Sequence, residues 1–476
     1  MDGALGEWRE LLGERATVAP DAYGRNLTEF AARSLTAVLR PTSREEVQAI
    51  VAVAARHRVP LYPVSAGRNW GLGSRLPVRD GCALVDLGLM NRILAVDEEL
   101  HYAVVEPGVT QRQLADALAG GPCMLNVTGS AEHTSVVGNT LERGVGMLGL
   151  RTRDLRALEA VLGTGEVVRT GHWAAEGSGG PDWHHHPDGL GPDVTGLFAQ
   201  SAFGIVTAAV IGLHPRQEYE LALVNAPDDG LAGHVDALRR LRQMDAFVDR
   251  IEVNSADDPR LIGIRDEART AAWATWAAVR ASEKAVLAAW KDRIAAAFGD
   301  VEFFGAADPS LPEPARTRLR KLSGEPGDEY VDAMAGRPVD TRRAFALDDD
   351  PAFPGFVCAL PAVPFAGAHV TAIVAAARRI DADTGVHTHL TFNSVSAHSM
   401  EGFFRVMFDR ADPAQVATAH AWSARAQREF AALGYRPMRT GVDTMAYANG
   451  HTAMLRAIKH ALDPASLMSP GRYIAS

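Results

Sequence analysis

Residues Leu61 to Gly73 read LYPVSAGRNWGLG, an apolar run that breaks abruptly into Ser65, Gly67, Arg68, Asn69, Gly71 and Gly73. A strand entering such a stretch must turn. Glycines admit positive φ and let a backbone approach a ligand closely, and successive N–H groups in that bend form a concave anion site. The stretch is therefore either an ordinary strand-to-strand turn or a phosphate cradle. Neither G-x-x-x-x-G-K-[ST] nor G-x-G-x-x-G fits its spacing, so it is not one of the common cradles.

The flanking sequence alternates short helical and strand patterns. Ser43 and Glu46 form an S-x-x-E capping box, and Val47, Ile50, Val51 and Ala54 then recur at one-face spacing, which predicts a helix ending near Arg58. Ala83 to Leu87 and Ala103 to Val105 read as strands, and Thr110 with Gln113 caps a second helix. Leu158–Leu162 and Glu166–Arg169 flank Gly163-Thr164-Gly165, a hairpin signature. The order is mixed α and β.

From about Glu218 the texture shifts to longer segments without a comparable glycine loop. Helical spacing covers Leu231–Met244, Ser282–Phe298, Val370–Ile380 and Pro413–Leu433, the last stopped by Gly434. Val248–Val253, Thr388–Ser396 and Phe403–Phe408 read as strands. His387 and His389 alternate onto one strand face, which suits a substrate pocket or a metal; no third ligand is evident, and no metal is expected.

The 476 residues carry a net charge of −10 and 47% hydrophobic residues, enough for several cores and without the basic block that a nucleic-acid partner requires. No stretch is long and apolar enough for a membrane span, and the acidic N-terminus lacks the pattern of a secretory signal, so a cytoplasmic protein is expected. Three scattered cysteines exclude a disulfide framework. Ser201 sits in A-Q-S-A-F-G, which is not the elbow of a serine hydrolase.

Seven stretches, PVSAGRNWGLG, LGLMNRI, VVEPGVTQRQL, SVVGNTLERGVG, GPDVTGLFAQSAFGIVT, GYRPMRT and LDPASLMSPGRY, occur in an order that resembles the vanillyl-alcohol oxidase and p-cresol methylhydroxylase (PCMH) family of flavoproteins. The resemblance implies an α+β fold. Residues 1–217 would form an FAD-binding domain of two subdomains, residues 218–433 an inserted α+β cap over the substrate, and residues 434–476 the return to the FAD domain. It also implies FAD, with Ser65, Ala66, Gly67, Arg68 and Asn69 at the pyrophosphate and Ser135, Val136, Gly138 and Asn139 near the flavin ring and ribityl chain. The main chain of Gly204, Ile205 and Val206 would meet the cofactor.

Departures from the family pattern bear on chemistry. In phenol-oxidising members tyrosines and an arginine clamp a phenolate; the matching places here are Leu72, Met438 and Arg439. Their flavin-side aspartate aligns with the stretch Thr128–Thr134, nearest Ser130, so Glu132 and His133 are the stand-in acid or base. Arg68 replaces the histidine that tethers FAD in some members, and His398 is the candidate tether or base on the cap side. Non-covalent FAD is expected. The implied activity is hydride transfer to flavin from a C–H beside a hydroxyl, amine or arene, reoxidised by dioxygen or a separate electron acceptor, in a chain that can form a homodimer. Oxidation of a 2-hydroxy acid, with Arg439 on its carboxylate and His387 or His389 as base, is the alternative, and a non-catalytic flavin-binding scaffold is another.

Overall fold

The computed structural model describes residues 2–19, 21–174, 180, 183–184, 186, 188–247, 250–261, 271–281, 283–343, 345–447 and 452–474. The apolar run before the glycine loop is a strand, Leu61–Val64, lying parallel to Cys82–Asp86, which is in turn parallel to Leu35–Leu39. Parallel neighbours need a crossover, and the helix Arg44–His57 supplies it, burying Val47, Ile50, Val51, Val53 and Ala54. Ser43 caps that helix by accepting from the Glu46 amide, but the Glu46 carboxylate does not return the bond. It turns instead to Arg15, which donates twice at 2.6 Å, because a charge-assisted fork outcompetes a single amide. Thr110 and Gln113 do form the full reciprocal box.

A five-stranded antiparallel sheet follows, in the order Val167–Arg169, Leu155–Leu162, Gly204–Gly212, Tyr102–Val105, Ile93–Asp97. Its first two strands are the hairpin read from the sequence. The third large layer is an eight-stranded antiparallel sheet, ordered Glu302–Gly305, Glu220–Ala226, Trp273–Val279, Ile251–Ser255, Thr388–Ser394, Ser399–Phe408, Gly355–Pro364, Pro437–Arg439. Val248 and Ser282, expected to open a strand and a helix, lie outside the described residues; the elements observed are Ile251–Ser255 and Lys284–Phe298.

Strand alternation gives this large sheet two unlike faces. Val357, Ala359, Phe404 and Val406 point into an apolar core with residues of the helices Leu231–Gln243, Gly367–Thr384 and Pro413–Ala432. Their neighbours in sequence, Phe356, Cys358, Phe403 and Arg405, point the other way, toward the glycine loop. Leu72 packs with Phe356 and Cys358, and the Cys358 amide donates to the Gly71 carbonyl.

Pro437–Arg439 pairs with Gly355–Pro364, so these residues belong to the eight-stranded sheet although they follow the expected boundary at 434. The chain then returns to the first sheet, where Leu61 donates to the Leu467 carbonyl and accepts from the Ser469 amide. Buried Asp348 ties the two sides together, accepting from Ser74 Oγ, Arg75 Nη2 and the Leu27 amide. No described helix is long and apolar enough to cross a membrane.

Candidate FAD cleft and facing substrate sheet

Where the first sheet, the five-stranded sheet and the C-terminal tail meet, a cleft encloses about 1050 Å³ of empty space, part of it open to solvent. Three elements build it. The glycine loop contributes Ser65, Ala66, Gly67, Arg68 and Asn69; the segment around the short helix Val136–Leu141 contributes Ser135, Gly138 and Asn139; the strand start contributes Gly204 and Val206. Gly67 has φ +64°, and the amides of Ala66, Gly67, Arg68 and Asn69 meet no backbone carbonyl among the described residues. Four successive free donors around a left-handed residue make a nest suited to pyrophosphate oxygens. Arg68 Nη1 is a further buried donor without an acceptor. Ser135 locks the second wall by donating to the Pro107 carbonyl and accepting from the Gly138 amide. These residues fit FAD, which would supply the redox chemistry once bound.

The side chains of Val136 and Ile205 are fully buried in apolar cores, which leaves their main chain as the part that can meet a cofactor. Glu142 and Arg472 line the cleft without having been read as site residues. Arg472 bridges Tyr62 Oη and Glu142 Oε1 at 2.6 Å each, and Tyr473 donates to Glu142 Oε2. Burial raises the Glu142 pKa, but Arg472 and Arg439 outweigh it and the net shift is downward. The only sequence signal was the PGRY stretch at the C-terminus.

Arg439 stands at the mouth between cleft and cap, where its Nη2 donates to Asn69 Oδ1 at 2.7 Å and its Nε is buried without an acceptor. Asp443, the carboxylate four residues along the chain, pairs with Arg33. Leu72 sits 3% exposed in an apolar cluster with Phe356, Cys358 and Leu360. Met438 offers its carbonyl to Gln200, and its side chain, next to Arg439 on a strand, takes the opposite face.

The candidate bases are scattered. Glu132 is clamped by Arg112 at 2.7 Å, and His133 Nδ1 lies 3.1 Å from Thr341 Oγ1; neither lines the cleft. Burial lowers the His133 pKa, although Glu132 pulls the other way. His398 is exposed on the turn before Ser399–Phe408, against Gln243, because a tight turn projects its side chains outward. His387 and His389 also lie away from the cleft, where Asp257 joins them so that one atom of each falls within 4.8 Å of the others. A loop thus supplies the third group that the sequence did not reveal.

The eight-stranded sheet also carries a buried carboxyl that was not among the residues expected from the sequence. Glu401 is 5% exposed, accepts from Asn393 Nδ2 at 3.2 Å, and faces the cleft side of the sheet. Burial raises its pKa more than Arg439 and Asn393 lower it. No motif marks it, since only strand pairing brings residue 401 toward residue 439.

Residues 35–171 match the family described as FAD binding domain. The 1'-carboxy-chondrochloren decarboxylase of Chondromyces crocatus is 32% identical over 534 aligned positions, covering 99% of this chain and 97% of that protein. The chain belongs to the vanillyl-alcohol oxidase and p-cresol methylhydroxylase family. The flavoprotein subunit of Pseudomonas putida 4-cresol dehydrogenase (hydroxylating) is 27% identical, over 98% of this chain and 94% of its own. A crystal structure of p-cresol methylhydroxylase with substrate bound superposes with a TM-score of 0.88 at 25% identity, covering 99% and 96% of the two chains. The protein is an FAD-dependent oxidoreductase with the α+β, PCMH-type fold.

Proposed function

We propose that this flavoenzyme oxidises a small organic molecule other than a simple p-alkylphenol, at a C–H beside a hydroxyl, amine or arene. The observation that carries this is the clamp position itself: Leu72 is buried in a dry apolar cluster, and Arg439 is the cation that remains. A buried phenolate needs several charge-assisted donors, and an apolar wall offers none. Arg439 positions an oxygen of the substrate or stabilises charge as hydride leaves. Glu401, a buried carboxyl with a raised pKa on the same sheet face as that guanidinium, takes the proton. Oxidation of a 2-hydroxy acid would need His387 or His389 at the cleft, where neither stands.

A second reading, oxidation coupled to loss of a substrate carboxylate, is favoured by the decarboxylase named above, which matches nearly the whole chain. FAD is held without a covalent link, the reoxidant is dioxygen or a separate electron acceptor, and the enzyme works in the cytoplasm, as a monomer or homodimer. The test is anaerobic flavin bleaching by a panel of benzylic alcohols, arylalkanoic acids, amines and phenols. Fast bleaching by p-cresol or vanillyl alcohol would remove the substrate assignment. Glu401→Gln should slow bleaching by the true substrate and abolish its pH dependence; an unchanged profile removes Glu401 as the base.

A further inference from the structure

On the cleft-facing side of the large sheet, the strands stack an unusual amount of positive charge. Arg405 has a fully buried side chain and gives one bond, Nη2 to Asp258 Oδ1 at 2.8 Å, while its Nε and Nη1 have no acceptor. Arg260 binds the same carboxylate through Nε and Nη2 at 3.0 and 2.7 Å. Arg250 and Arg318 share Glu252 at 2.7 and 2.8 Å, and the Nε of each is also unpartnered. Among the described residues, four buried guanidinium groups thus share two ion-paired carboxylates, and the third buried carboxyl of this face, Glu401, has its pKa raised by burial. Burial disfavours the Glu252 carboxylate, yet Arg318, Arg250 and Arg260 outweigh it and hold its pKa far below the ordinary value, so Glu252 is already fully ionised and has no further charge to give.

Tyr330 Oη and Trp276 Nε1 are also buried without an acceptor, and the Tyr330 ring lies under Arg260 and Arg318 at 5.6 and 5.4 Å. Tyr330 also packs against Gly129. Two further buried groups on this face are unpartnered, Asn393 Oδ1 across from Glu252 and His389 Nδ1 across from Arg405, so the donors exceed the free acceptors without being alone. A buried site with surplus cations and surplus donors is complementary to an anion rich in acceptors.

Its position sets the ligand's shape. Arg405 pairs across the sheet with Cys358, and Arg439 with Leu360 two residues along, one strand further. Strands about 4.8 Å apart and steps of about 3.4 Å place the two Cα atoms about 12 Å apart on one face. Between them lie Leu72, Cys358, Leu360 and Phe403, the last with its ring 5.3 Å from the Arg405 guanidinium.

We propose that Arg405 and Arg260, with the Tyr330 hydroxyl, form a subsite for the carboxylate of an arylalkanoic acid whose apolar body lies along this wall and whose reacting C–H sits at the Arg439 end. The inference rests on the oxidoreductase reading above and narrows its substrate class. It is tested by binding, separately from turnover. FAD-loaded protein is titrated with phenylacetate, 3-phenylpropanoate, 4-phenylbutanoate and 5-phenylpentanoate and with the four neutral amides, following perturbation of the flavin bands and heat release. At least one acid should bind about tenfold or more tightly than its amide. Arg405→Gln should erase that preference, and Tyr330→Phe, which removes one hydroxyl and leaves the ion pairs intact, should weaken the acid severalfold with unchanged melting temperature and amide affinity. Acids and amides binding alike, no acid binding, or a preference that survives both substitutions would overturn the subsite. Tight acid binding without anaerobic bleaching by any acid supports the subsite and counts against the redox reading alone.

Discussion

Arg439 joins the two halves of the site, because one guanidinium reaches Asn69 on the glycine loop from the edge strand of the cap sheet. A preorganised donor of this kind is typically worth on the order of 3 kcal/mol in a transition state, so Arg439→Ala should slow anaerobic reduction about a hundredfold. Its partner is a neutral amide, so the melting temperature should change little; a wild-type rate in a stable, FAD-loaded variant would remove Arg439 from the mechanism. Gly138 makes a different demand. A Cβ there would collide with Ser65 Oγ, and both residues line the cleft. Gly138→Ala should lose bound FAD, measured as flavin per protein, and adding Ser65→Gly should restore it. Failure of that rescue would mean the alanine acts through the helix rather than the loop.

Helix Leu231–Gln243 docks on the large sheet through His234, which bonds Thr275 Oγ1 at 2.7 Å and lies with its ring tilted against Phe298. Burial lowers its pKa to about 4, against an ordinary value of 6.5. The unfolded state therefore binds more protons between those values, so this contribution is intact above pH 6.5 and is lost as pH falls toward 4. The difference amounts to about 3 kcal/mol. Denaturant midpoints across that window should fall with acidification, and His234→Asn should flatten the slope while lowering stability near neutrality. An identical pH slope in the variant would place the acid lability elsewhere. Elements like this helix were readable in advance because their apolar spacing is local, as was the reciprocal cap at Thr110 and Gln113. The half-formed cap at Ser43 was not, since Arg15 competes for Glu46 from 31 residues away.

For the molecule as a whole, FAD bound in a cleft lined from residue 62 to residue 472 would couple cofactor binding to folding. Purified protein should be yellow, acid precipitation should release the colour, and stripping FAD should lower the melting temperature; occupancy at about a thousandfold above Kd contributes about 4 kcal/mol. Colour retained in the pellet would overturn the non-covalent assignment. The glycine loop, the capped helices, the hairpin and the mixed α/β order were legible along the chain because each depends on neighbours within a few residues. The left-handed bend at Gly67 was legible too, since it and its flanking amides depend on no distant segment. What the linear order could not show is the wall opposite. Glu401, Arg405 and Arg439 become one surface only through strand pairing across the cap sheet, and Glu142 meets Arg472 across 330 residues. Strand register and buried charge are set by contacts between distant segments, so the glycine loop proposed to cradle the cofactor was visible in the sequence, while the charged wall facing it emerged only when the sheet was assembled.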